Sequence, residues 1–217
     1  MRLVNTSTGL SEEFIGTNIP AYAILSHTWG EEVVSYKDMT ANPSYRSKKG
    51  YAKISVTCQL AKADGLQYAW IDTCCIDKTS SAELSEAINS MFQWYKVAEK
   101  CYTYLVDLKS DNLWLENLAH CRWFTRGWTL QELIAPADVY FFDQHWNMLF
   151  RKSDRIDLLS NITGIDRGVL GTSRSLLSIS VAQRMSWASR RVTTRVEDEA
   201  YCLLGIPMLA RFCSTLP

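Results

Sequence analysis

In the stretch CRWFTRGWTLQELIAP, residues 121–136, one carboxylate, Glu132, stands among Arg122, Trp123, Arg126 and Trp128. A carboxylate in that company is either the ion-pair partner of Arg126 or a charge held for a ligand. Other reactive types gather at the ends of apolar runs. Ser26, His27, Thr28, Trp29 and Gly30 close the run that begins at Tyr22; Asp72 closes a second and is followed by Asp77 and Lys78; Asp107 closes a third. A histidine there can bond a neighbouring backbone group or meet a ligand. Asp72 can cap the turn that follows it, and Asp77 can pair with Lys78. The tryptophans serve either as packing or as platforms for a flat ligand.

Two further chemistries are disfavoured by context. Cys74, Cys75, His120 and Cys121 are zinc-ligand types, but structural sites space paired ligands by about two to four residues and no such pair occurs here, so no metal site is expected. Cys74 or Cys75 beside His27 would be a nucleophile only as a thiolate, and both thiols close an apolar run. The cysteines at 58, 74, 75, 101, 121, 202 and 213 read as reduced, buried side chains.

The elements that must carry these residues follow from periodicity. YAILSHT (22–28), QYAWIDTC (67–74), CYTYLVDL (101–108) and DVYFFDQ (138–144) read as strands. Between the first two, Ile54, Cys58 and Ala61 fall at helical spacing and Gly65 supplies a stop. After the second, Ser80 and Glu83 have capping-box spacing ahead of a stripe of Leu84, Ile88, Met91 and Tyr95. Residues 121–136 then read as a loop and an amphipathic helix between the third and fourth strands. Strands alternating with helices imply an α/β fold, a parallel sheet with helices on both faces. Ligands of such sheets bind beyond the carboxyl ends of the strands, which brings Ser26, His27, Trp29, Gly30, Asp72 and Asp77 to one rim that Arg126, Trp128 and Glu132 can reach. Past residue 150 the signals are helical: SDRIDLLSNITGI, SVAQRMSWASRR with Ser180 and Gln183 at capping-box spacing, and VEDEAYCLLGI. The chain therefore divides into an α/β core, 1–150, and a helical extension, 151–217.

Composition narrows the partners. The 217 residues are 47% hydrophobic, enough for one sizeable core, and 23 basic side chains balance 23 acidic ones. With no net field, neither nucleic acid nor an anionic membrane is an expected partner. No leader-like apolar segment opens the chain and no run is long enough to cross a bilayer, so a soluble, cytoplasmic protein is expected.

The blocks YAILSHTWG, YAWIDTCCIDK, AINSMFQWYKVAEKCYTYLVDL, RWFTRGWTLQELIAP and SVAQRMSWASRRVTTRVEDEAYCLLGI, running from residue 22 to 206, resemble the fungal heterokaryon incompatibility (HET) domain. That resemblance implies an effector or regulator of the cell death that follows non-self recognition between fused hyphae. The order of elements, and GWTLQEL in particular, is similar to Toll/interleukin-1 receptor (TIR) domains, whose glutamate in the corresponding segment is the catalytic residue of NAD+ cleavage. This second likeness implies a TIR-like (flavodoxin-like) sheet, Glu132 as the catalytic group, NAD+ as substrate with no bound cofactor, and a homo-oligomer formed on activation. Cleaving the nicotinamide–ribose bond builds an oxocarbenium-like ribose that one fixed carboxylate stabilises, and nicotinamide leaves without needing a proton. In that reading Trp29 and Trp128 stack on the rings, Arg126 meets a pyrophosphate oxygen, and Ser26, His27, Gly30, Asp72 and Asp77 line the mouth. The same aromatics and arginines would suit an alternative, a noncatalytic self-associating module of death signalling. The family usually continues after CLLGI to a glycine-rich LYGEG turn and a helix, whereas PMLARFCSTLP follows here. The departure implies a shortened C-terminal part, and a trigger supplied by an upstream receptor-type protein.

Overall fold

The computed structural model describes residues 1–16, 18–41, 43–204 and 206. The apolar run at Tyr22 forms β3 (Tyr22–His27), buried from Tyr22 to Ser26, and it stands in the middle of one sheet. Its companions are β1 (Arg2–Asn5), β2 (Ser11–Glu13), β4 (Tyr68–Trp70), β5 (Lys100–Tyr104), β6 (Tyr140–Phe142) and β7 (Met148–Arg151), in the order β2-β1-β4-β3-β5-β6-β7. The four inner strands are parallel, and their order, second-first-third-fourth along the chain, is the flavodoxin-like one. The expected α/β fold is therefore the observed one. Its sheet has in addition three antiparallel strands at its margins, β1, β2 and β7. Two of them, β2 and β7, are short, half-solvated edges without a strong periodic signal.

The helices are α1 (Tyr36–Ala41), α2 (Tyr51–Ala63), α3 (Asp72–Cys75), α4 (Ser81–Val97), α5 (Trp114–Leu118), α6 (Arg122–Thr125), α7 (Thr129–Ile134), α8 (Ile156–Thr163), α9 (Arg167–Leu170), α10 (Val181–Ala188) and α11 (Asp198–Tyr201). Parallel register puts Ile24, Trp70 and Cys101 on one face of the sheet and, by alternation, Leu25 and Tyr102 on the other. Trp70 stacks its edge on Trp94 and Tyr95 of α4, at 5.5 and 6.0 Å between centroids. On the opposite face Tyr102 donates to Asp64 at the end of α2. Helices thus cover both faces. Burying an aromatic such as Trp70, fully enclosed here, contributes about 3 kcal/mol.

Several boundaries differ from the sequence reading. Ser80 does cap α4, accepting from Glu83 N–H at 3.3 Å, but the Glu83 carboxylate turns to the Asp77 N–H (2.7 Å) and to Arg2 instead of closing the box. The second strand stops at Trp70, because residues 72–75 wind into the single turn α3. The third stops at Tyr104, leaving Asp107 exposed, where it accepts from Arg122 N–H at 2.8 Å. The helix expected to be amphipathic, α7, is buried at every position from Thr129 to Ile134. Past Arg151 the chain is helical, as expected, in α8 to α11. Cys58, Cys74, Cys75, Cys101, Cys121 and Cys202 are free and buried; Cys213 and the segment 207–217 lie outside the described residues. Among the described residues no helix is long and apolar enough to cross a membrane.

Candidate active site

Adjacent residues of β3 point to opposite faces, so Ser26 and His27 organise two different clusters. Ser26, fully buried, accepts from Trp123 Nε1–H (2.7 Å) and donates to the Glu132 carboxyl. Tyr95, whose hydroxyl donates to Leu25 C=O at 3.0 Å, borders the same carboxyl. Burial pushes Glu132 up to about 8; the Ser26 bond opposes this, while the negative charge of Asp72 reinforces it. The direct partner of Glu132 is thus Ser26, with Arg126 acting on it through space.

Helix α7 is clamped at both ends. The Arg191 guanidinium donates to Arg126 C=O (2.9 Å) and to the Thr129 hydroxyl (2.8 Å), and Lys152 Nζ donates to Leu133 C=O (3.2 Å) and Pro136 C=O. Burial lowers both cations, Arg191 to about 10 and Lys152 to about 8. The chain at Val192 runs beside Arg126, and a Cβ at Gly127 would come within 2.6 Å of the Thr193 methyl, so a larger residue there would have to displace the Thr193 and Cys202 side chains. Sequence reasoning missed Arg191 and Lys152. Lys152 lies between periodic segments and Arg191 at the end of one, past the last helical residue Ala188, and only the tertiary fold turns each inward.

His27 organises the rim. Its Nε2 meets Asp72 Oδ1 at 3.0 Å, Trp29 Nε1–H donates to Asp72 Oδ2 at 2.7 Å, and Lys78 Nζ stands 3.8 Å from the same oxygen. Burial alone would raise Asp72, but Lys78, His27 and the Trp29 N–H overcome it and draw the carboxylate down to about 2. Burial lowers His27, against the pull of Asp72 and with help from Lys53 and Lys78. Beside an ionised Asp72, a neutral His27 carries its proton on Nε2. Its Nδ1 is then a buried acceptor, with no partner among the described residues, as is the Thr28 hydroxyl oxygen.

The remaining candidates are spread around these two clusters. Asp72 does not cap α3, which has Ile71 at its N-cap. Asp77 accepts from Thr79 N–H (2.9 Å) and hydroxyl (2.6 Å) in an Asx turn, so Lys78 turns to Asp72 instead. Gly30 is exposed, with open space where a Cβ would sit. Arg126 donates to the Thr194 hydroxyl at 3.1 Å, and Trp128 packs half-buried on the core. Hydrogen bonding to Cys75, then burial, hold the Cys74 thiol well above its usual range, against a thiolate role. Among the described residues no three His, Cys, Asp or Glu side chains gather as a metal site. Clefts of about 300 Å³ beside Arg2 and Glu83 and about 220 Å³ beside Asp107 and His120 open elsewhere, and Glu132 lines neither.

A family model described as heterokaryon incompatibility protein (HET) matches residues 22–117, which span β3 to α5 and include the whole rim cluster. Over 197 residues, 87% of the chain, the sequence is 49% identical to the vegetative incompatibility protein HET-E-1 of Podospora anserina. The chain belongs to the HET domain family. It spans 14% of the length of that relative, so what is matched is one module of a longer protein. No solved structure matches it. In this HET domain the motif RWFTRGWTLQELIAP becomes α6 and α7, and its carboxyl is delivered to the end of β3.

Proposed function

We propose that this HET domain is a cell-death effector or regulator of heterokaryon incompatibility, and that it acts by hydrolysing the nicotinamide–ribose bond of NAD+ with Glu132 as its carboxylate. One observation carries the reading: the buried Glu132 carboxyl, raised to about 8, is held by Ser26 at the point where the strand order reverses. In the conformation described Glu132 is closed in and holds its proton, which is the resting arrangement. Catalysis requires α7 to release it as an anion facing the ribose, where it stabilises the oxocarbenium-like centre as nicotinamide departs and water adds. Self-association, prompted by an upstream receptor-type partner, is the event that supplies this opening.

The test is nicotinamide release from NAD+ by concentrated protein, native against Glu132→Gln, with assembly followed by light scattering in the same samples. Because Glu132 is neutral at rest, Gln preserves the packing and charge of the resting state, and lost release with intact assembly supports the reading. A second reading draws on the burial of Glu132, 7% exposed: there the carboxyl is a structural hydrogen-bond partner of a noncatalytic self-associating module. An assembled native protein that releases no nicotinamide would favour it.

A further inference from the structure

We infer that Lys53, Lys78 and Trp29 form a subsite for the diphosphate and one ring of an ADP-ribose-type nucleotide. The inference deepens the NAD+ reading by assigning the cations that would hold the phosphates. Lys53 comes from α2 and Lys78 from the turn before α4, and both approach the carboxyl end of β3, where the strand order reverses and open sheets bind ligands. Lys53 Nζ donates to Thr28 C=O at 2.9 Å, among the described residues its one hydrogen bond, which leaves two N–H donors unspent. Lys78 Nζ stands 3.5 Å from the centroid of the Trp29 ring and 3.8 Å from Asp72, beyond hydrogen-bond distance. Both ammoniums face the single carboxylate of Asp72, which leaves a positive excess with free donors.

The other groups fit the rest of the same ligand. Trp29 is 44% exposed on a loop yet fixed at its edge by the bond to Asp72, which makes it a pre-oriented platform for a flat ring. His27 Nδ1, buried and unpartnered among the described residues, is an acceptor with no donor, and a ribose offers hydroxyl donors. A flat base, two phosphates and a hydroxylated sugar are complementary to these three features together. A free phosphate would use only the lysines.

The experiment is calorimetric titration with ADP-ribose, which lacks the nicotinamide bond and so reports binding without turnover. The native chain is compared with Lys53→Met, Lys78→Met and Lys62→Met, the last on the exposed side of α2. We expect each of the first two to weaken binding about tenfold or more, the loss of one charge-assisted contact, and Lys62→Met to bind as the native chain does. Inorganic pyrophosphate should displace ADP-ribose where adenosine at equal concentration does not. No binding to the native chain, equal binding by the Lys53 and Lys78 variants, or displacement by adenosine alone would each overturn the inference. Lys78 is partly exposed, so its variant remains informative should Lys53→Met misfold. The two readings fail separately: lysine-dependent binding without nicotinamide release sinks hydrolysis alone, and release untouched by either lysine variant sinks the subsite alone.

Discussion

Ser26 and His27 are neighbours in β3, and each holds one carboxyl in an opposite state. Asp72, beside His27, receives N–H bonds from Trp29 and His27 and faces Lys78, and is held near 2. Glu132, beside Ser26, meets among the described residues only the hydroxyls of Ser26 and Tyr95, inside a helix buried at every position, and is held near 8. Burial opposes ionisation at both places. What separates them is the number of N–H donors and cations turned towards each, and the ionised Asp72 itself makes Glu132 harder to ionise. Carboxyls pushed apart in this way are a recurrent basis for dividing chemical roles within one site.

The comparison is broken most severely at Trp123. Its indole fills the space between the sheet and α7, lies 5.5 Å from Phe141 between centroids, and supplies the N–H that begins the Trp123–Ser26–Glu132 chain of bonds. Trp123→Ala leaves a large cavity and an unsatisfied Ser26, and should cost about 4 kcal/mol, lowering the thermal midpoint by roughly 10 °C. The His27 side should be spared. If the imidazole resonances of His27 shift as much as the core signals around α7, the two clusters are one unit and the contrast between them fails.

The legible part of this architecture is the part written in periodic signals. The run at Tyr22, the Ser80 cap and the Leu84, Ile88, Met91 and Tyr95 stripe each announce an element within a few residues, and together they give the parallel core of the sheet. The rim was legible too, since His27 and Asp72 fall at or just past strand ends and parallel register brings strand ends together, whereas Ser26, read as part of the same rim, faces the interior. The condition of Glu132 was not. A segment as mixed as residues 121–136 reads as half-solvated, and its burial depends on α4, β3 and residues 191–202 closing around it from distant parts of the chain. Lys152 and Arg191 were invisible for the same reason: a buried cation at a helix end is defined by carbonyls that only the folded chain supplies.

Glu132→Gln sharpens the contrast through pH. In the unfolded chain Glu132 ionises above about 4.5, whereas folded it keeps its proton up to about 8. The native protein therefore loses stability as pH rises between those values, by about 4 kcal/mol. Gln cannot ionise, so denaturant unfolding at pH 5 and pH 8 should give the variant the smaller loss. Equal losses in the two proteins would mean that Glu132 is already charged in the fold.

Asp72→Asn has the smaller effect and the opposite slope. The folded carboxyl titrates near 2 and the unfolded one near 3.8, so its contribution is complete above about 4 and disappears as pH falls through 2. At pH 7 the substitution should cost about 2 kcal/mol, and native and variant should converge in stability towards pH 2. Asn retains an oxygen for the Trp29 N–H but leaves Lys78 without its counter-charge. Asp72 is also the group that supports a proton on His27, against burial and the charges of Lys53 and Lys78. Its loss should move the His27 titration, followed by NMR, to lower pH still. An upward movement would mean that the histidine had left its enclosed position for water, and that Asp72 fixes the geometry of the rim more than its charge.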